Sequence, residues 1–282
     1  MGRVYNALVR ADRLKEPDRR VGAPTDMATV LPFNSDSAAI IALTHKETVA
    51  HKINEIYAPS FEPPVGPVFQ EPRTVANISE LVIDPHVAAI SGVDSSAAER
   101  YRALSARLLN LVNRRKLKTI LITSAEAGEG KTTIATCLAW SLAKRPERRV
   151  ALIDAGMTSG SAARYLGLEA RSGWVDPRDG ICGLKDTMVR IDPNGLYVLT
   201  AHSEASFSRL VDVFVELTAR FDIAVVDSPP ILASPLTRLL ATTLDGTVMV
   251  ARACHTDRRS VIAARKLVPK DRRLGLVLNE VQ

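Results

Sequence analysis

Residues Thr119–Thr133 read TILITSAEAGEGKTT: an apolar run of strand length, a loop of small and acidic residues, and a Lys-Thr-Thr opening an Ala-rich helical stretch. Its core, Ala125-Glu126-Ala127-Gly128-Glu129-Gly130-Lys131-Thr132, has Walker A spacing, with Ala125 where the first glycine usually stands. Gly128 and Gly130 let the backbone turn so that successive N–H groups, and the positive end of the following helix, point at phosphate oxygens. Lys131 is expected to reach the β and γ phosphates. The Thr132 hydroxyl is expected to ligate magnesium, which prefers oxygen and keeps several waters. The expected ligands are therefore ATP and Mg2+, and the candidate contacts are Ala127, Gly128, Glu129, Gly130, Lys131, Thr132 and Thr133.

Working outward, apolar runs of strand length alternate with helical patterns, the signature of a parallel α/β sheet. The expected strands are Thr119–Thr123, Val150–Asp154, Leu196–Thr200, Ile223–Asp227, Thr247–Ala251 and Leu274–Leu278. Between them the spacing predicts helices near Thr132–Lys144, Ser206–Arg220, Pro235–Thr243 and Asp257–Leu267. A preceding helix is expected over Ala97–Asn113, capped by Ser95 or Ser96. The fold class is α/β, a mostly parallel sheet with helices on both faces.

Two acidic residues close apolar strands and so stand at the ligand edge of such a sheet: Asp154 in VALIDA and Asp227 in IAVVDSPP. Asp227 reads as Walker B, holding magnesium through a water, and Asp154 as the group that orients or deprotonates the attacking nucleophile. Lys131, Asp154 and Asp227 form the candidate catalytic set, and Thr132, Asp154 and Asp227 the metal set. His202 and His255 lack ligand-spaced partners and read as loop polarity. Trp140 reads as core packing, and Ser124, without a paired His and Asp, as a loop residue.

The rest of the chain sets limits. Cys137, Cys182 and Cys254 are odd in number and have no CxxC spacing, which argues against a disulfide framework or zinc knuckle and for a reducing cytosol. No apolar run approaches the roughly 20 residues of a membrane span, and no signal peptide is evident. A cytoplasmic chain is expected, with recruitment to the inner face of the plasma membrane left to a partner. The net charge of +6 comes from scattered Lys and Arg without interleaved aromatics, so no nucleic-acid partner is expected. Nine of the 16 prolines precede Ser95, densest in Ser60–Pro72, which predicts a largely disordered N-terminal region. The expected division is a short amphipathic helix in 1–20, centred on Arg3–Leu14, a Pro-rich flexible linker in 21–80 and the P-loop domain in 81–282.

The combination SAEAGEGKTT, LIDAG, DIAVVDSPPIL and GLVLN resembles the bacterial tyrosine kinases of the capsular exopolysaccharide family, relatives of the MinD and ParA ATPases. The resemblance runs from about Leu81 to Asn279, and MGRVYNALVRAD is similar to the opening of members whose cytosolic kinase is a separate chain. It implies transfer of the ATP γ-phosphate to protein tyrosine and regulation of polysaccharide polymerisation and export. It also implies a membrane-spanning chain-length regulator or export protein as partner, a homo-oligomer of ring form, and an adenine contact at Asn279. Three features depart from the family pattern. Asp154-Ala155-Gly156 lacks the second Asp of the Walker A-prime motif, Ser105 stands where the ring-forming helix that keeps Glu99 and Arg102 carries Arg, and no tyrosine cluster precedes Gln282. These departures give a second reading, an ATP-bound regulatory switch for the same machinery. A third, a ParA- or MinD-like positioning ATPase, ranks last because Ser124, Ala125 and Glu126 stand where those proteins carry an early P-loop lysine.

Overall fold

The six apolar runs become six parallel strands at the centre of one sheet. The computed structural model describes residues 29–31, 74–77, 79, 81–91, 95–145, 147–156, 161–168, 188–193, 195–200, 214 and 217–279. The expected helix at Arg3–Leu14, the Ser60–Pro72 stretch, His202 and most of Ser206–Arg220 lie outside them. In chain order the elements are β1 (Thr29–Leu31), β2 (Thr74–Asn77), α1 (Pro85–Ser91), α2 (Ser96–Arg115), β3 (Thr119–Ser124), α3 (Lys131–Ala143), β4 (Val150–Asp154) and α4 (Ser161–Tyr165). They continue as β5 (Met188–Asp192), β6 (Leu196–Thr200), β7 (Ile223–Asp227), α5 (Pro235–Thr243), β8 (Gly246–Arg252), α6 (Arg258–Leu267) and β9 (Arg273–Asn279).

Strand order is β1-β9-β8-β3-β7-β4-β6-β5-β2. The edges depart from the parallel centre: β1 runs antiparallel to β9 and β5 antiparallel to β6, with β2 parallel to β5. Two of these strands, β1 and β2, fall inside the 21–80 segment read as linker. Both are short and join the sheet through main-chain pairing at its edges, which leaves little imprint on side-chain pattern.

Alternation along the strands builds two cores. Ile120 and Ile122 of β3 face α2 and α3, where Leu104, Leu108, Leu138 and Trp140 meet them; Leu121 faces the other way, with Leu240 of α5 and Val261 of α6. Side chains this large, fully buried, contribute about 1.5–3 kcal/mol each. Helix α3 is buried on almost every side, from Ile134 to Ala143, because it lies between the sheet and α1 and α2. Helix α2 begins at the Ser95 cap, whose Oγ accepts the Ala98 N–H at 3.0 Å. Its buried face carries Leu104, Leu108, Leu109 and Val112, and among them Ser105, whose hydroxyl turns back to the Tyr101 carbonyl at 2.7 Å. Among the described residues no helix is long and apolar enough to cross a membrane.

Candidate functional site

Parallel pairing brings the C-terminal ends of β3, β4, β7, β8 and β9 to one edge, and with them Ser124, Asp154, Asp227, Arg252 and Asn279. The loop 125–130 leaves β3 at this edge and enters α3 at Lys131. Gly128 and Gly130 have φ of +78° and +84°, left-handed values that glycine adopts without strain. Gly130 is the N-cap of α3 and brings no side chain to accept the helix's first N–H groups, which stay available to an anion. Ser124, expected in the loop, instead closes β3, buried, with its hydroxyl donating to the Glu126 carbonyl at 2.6 Å.

Asn279 packs directly on this loop. Its Nδ2 donates to the Glu129 carbonyl at 3.2 Å, and a Cβ on Gly130 would lie 2.1 Å from the same nitrogen. Gly130→Ala therefore combines left-handed strain of about 1–2 kcal/mol with expulsion of Asn279. Nucleotide affinity is expected to fall at least roughly tenfold, read by calorimetric titration with Mg-ATP. Gly128→Ala meets nothing within 4 Å among the described residues and bears the strain alone, so its loss should be smaller.

Strands β4 and β7 are neighbours with Asp154 opposite Asp227, which sets two buried carboxylates side by side. Asp154 is held by main chain: Oδ1 accepts the Gly156 N–H at 3.0 Å and Oδ2 the Ala162 N–H at 2.9 Å. Asp227 has the Thr132 hydroxyl and the Ser228 N–H, but among the described residues its Oδ1 has no hydrogen-bond partner. Burial, and then the Asp154 charge, push the Asp227 carboxyl up to about 7 against the opposing pull of Thr132 and Lys131. A buried, partnerless carboxylate oxygen beside a second carboxylate and a threonine hydroxyl fits a hard divalent cation. Among the described residues no group of three or more His, Cys, Asp or Glu gathers as a metal cluster.

Two of the sequence candidates have further partners. The Glu129 carboxylate turns inward, while Ala127 and Gly128 form the exposed crown of the loop. Thr133 donates to the Tyr165 hydroxyl at 3.2 Å, which ties α3 to α4. Tyr165 carried no sequence signal, since it is 32 residues from Thr133 and belongs to no motif. His255 is exposed, with Nδ1 3.2 Å from the Ala253 carbonyl oxygen, and Trp140 is buried in the core.

A family model described as the CobQ/CobB/MinD/ParA nucleotide binding domain matches residues 120–281. The chain is 27% identical over 203 residues to the tyrosine-protein kinase YwqD of Bacillus subtilis (strain 168), covering 69% of this chain and 85% of that protein. It is 30% identical over 177 residues to the tyrosine-protein kinase CpsD of Streptococcus agalactiae, covering 58% and 76%. Among solved structures, the kinase domain of the Escherichia coli tyrosine kinase ETK matches in fold with a TM-score of 0.61 at 22% identity, over 70% of this chain and 80% of that one. The VpsO kinase domain matches with a TM-score of 0.57 at 26% identity, over 70% and 96%. The chain belongs to the CobQ/CobB/MinD/ParA nucleotide-binding family, and within it to the bacterial tyrosine kinases of the capsule type.

Proposed function

We propose that the chain binds Mg-ATP in the 125–130 loop, transfers the γ-phosphate to protein tyrosine, and through this regulates polysaccharide polymerisation and export beside a membrane-spanning chain-length regulator. The observation that most favours Mg-ATP chemistry is Asp227, buried, beside Asp154, and with one carboxylate oxygen unpartnered. Thr132 and Asp227 would hold Mg2+, with Asp154 beside them; when bound, the ion would neutralise charge on the phosphates. Lys131 and the N–H groups around Gly128 and Gly130 would orient the phosphate chain. Asp154, held by two main-chain donors, would orient an incoming phenol or take its proton.

The three tyrosines among the described residues are poor acceptors. Tyr197 is 5% exposed and stacks edge-on with Phe221 at 5.1 Å. Tyr101 is half-buried, its hydroxyl raised well above the usual phenol range by burial and by Cys137. Tyr165 is engaged with Thr133. The candidates left are Tyr5, Tyr57 and tyrosines of a partner. Incubation with γ-labelled ATP and magnesium, followed by phosphoamino-acid analysis, tests the reading: label on tyrosine supports it, and tight ATP binding without label or released phosphate removes it.

The switch reading is favoured by one feature, Gly156, which offers Asp154 only an N–H at the position where the family carries a second carboxylate. Gly156→Asp is expected to raise phosphotransfer by about 10–100-fold if that missing acid limits the rate, since positioned acid-base groups contribute on this scale. A rate no higher than wild type would favour the switch.

A further inference from the structure

A carboxylate lies buried inside the loop that has to receive a polyanion. Glu129 is 3% exposed, and both its oxygens are engaged. Oε2 accepts the Glu126 N–H at 3.0 Å, across the turn of the loop itself. Oε1 accepts the hydroxyl of Thr256, a residue 4% exposed that lies 127 positions along the chain.

The direction of this second bond is fixed by chemistry. A threonine hydroxyl has one proton, and the Thr256 oxygen already accepts the Arg252 N–H at 2.8 Å, so its proton goes to Glu129. Thr256 is itself held in a tight turn at the end of β8. Its N–H and that of His255 return to the Arg252 carbonyl at 3.0 and 3.3 Å, the Ala253 N–H goes to the Asn279 carbonyl at 2.8 Å, and Cys254 takes a φ of +60°. A lesser strut runs alongside, from the Ser260 hydroxyl in the first turn of α6 to Glu126 Oε1 at 2.6 Å. The inner side of the phosphate loop is thus fastened to the β8–α6 turn, and its outer side, at Ala127 and Gly128, is left to the ligand.

We propose that Thr256 is a positioning residue for nucleotide binding: through the Glu129 carboxylate it holds loop 125–130 in the shape that receives phosphate. The Glu129 carboxylate serves as an internal anion that gathers the Glu126 N–H before ATP arrives, so less ordering is left for the ligand to supply. The inference rests on the assignment of this loop as the nucleotide site.

The test is titration of the full chain with a fluorescent ATP analogue and magnesium, for wild type, Thr256→Val, Thr256→Ser and Glu129→Gln. Thr256→Val keeps the shape of the side chain and removes the hydroxyl; its dissociation constant is expected to rise at least about tenfold. Serine keeps the hydroxyl and should restore affinity to within about twofold of wild type, a rescue that bulk packing alone does not give. In a Glu129→Gln background the valine substitution should cost far less, because the pair acts as one unit. Wild-type affinity in Thr256→Val, no rescue by serine, or additive effects of the two substitutions would each overturn the proposal while leaving the nucleotide site standing. If Thr256→Val does not fold, the serine variant and Glu129→Gln decide: near-wild-type affinity in serine with a loss in Glu129→Gln supports it, and any other pairing overturns it. A wild-type chain that does not bind the analogue would overturn the site and the proposal together.

Discussion

The Lys131→Ala variant is expected to bind ATP roughly 100-fold or more weakly than wild type, the scale set by losing charge-assisted bonds of about 1.5–3 kcal/mol at a partly desolvated site. Lys131 is the first residue of α3, at the helix end where the main-chain dipole already favours an anion, so its ammonium adds to a field the backbone has aligned. A second loss runs through Asp227. Lys131 is one of the groups that pull the Asp227 carboxyl down, and without it the carboxyl must rise above its present value of about 7. At neutral pH the carboxylate then spends more of its time protonated and is a poorer cation ligand. Both effects weaken Mg-ATP binding, and titration with a fluorescent ATP analogue reads their sum. Unchanged affinity in a folded variant would move the nucleotide site away from this loop.

The central strands were legible because a strand buried on both faces is a continuous apolar run; TILIT, VALID, IAVVD and GLVL need no partner to be recognised. Helix α5 has the span that its spacing predicts, Pro235–Thr243, and the structure adds the Ser234 side chain as its cap. The same reasoning fails at the margins. Strand β5, MVRID, is only partly buried and carries Arg190 and Asp192, and α1 and α4 are too short to show a helical period.

At the site, the residue types in TILITSAEAGEGKTT pointed to nucleotide binding, in keeping with the family that residues 120–281 match, but the contacts between distant residues were hidden. That Asp154 and Asp227 face each other follows from the β4–β7 register, which sequence spacing does not contain. The inward turn of Glu129 toward Thr256 is likewise a product of topology, since β8 must lie beside β3 before the two can meet. Asn279, for which the resemblance implies an adenine contact, also has its amide against Gly130 and on the Glu129 carbonyl, a contact with the loop that no spacing showed.

Replacing Asp227 by asparagine is expected to move activity and stability in opposite directions. Activity should fall by about three orders of magnitude or more, because phosphoryl transfer depends on positioned charge and this carboxylate has an oxygen that nothing among the described residues engages. Stability of the nucleotide-free chain should rise, and the sign follows from linkage. The Asp227 carboxyl is raised from 3.8 to about 7 by burial and by Asp154, so between those values the folded chain holds a proton that the unfolded chain has released. Stability from this group is therefore fully present below the unfolded value and is lost as pH rises through about 7. Above that pH the penalty approaches a ceiling of about 4 kcal/mol at 1.36 kcal/mol per unit. Asparagine carries no charge to desolvate and still offers an oxygen to the Thr132 hydroxyl. Without nucleotide and magnesium, its melting temperature should exceed that of wild type by several degrees at pH 8, with the gap closing toward pH 5. Magnesium and ATP should reverse the order, since they stabilise only the chain that binds them. Parallel melting curves at the two pH values, with and without Mg-ATP, measure these gaps; a pH-independent gap would mean that Asp227 is not the buried charge the fold strains to hold.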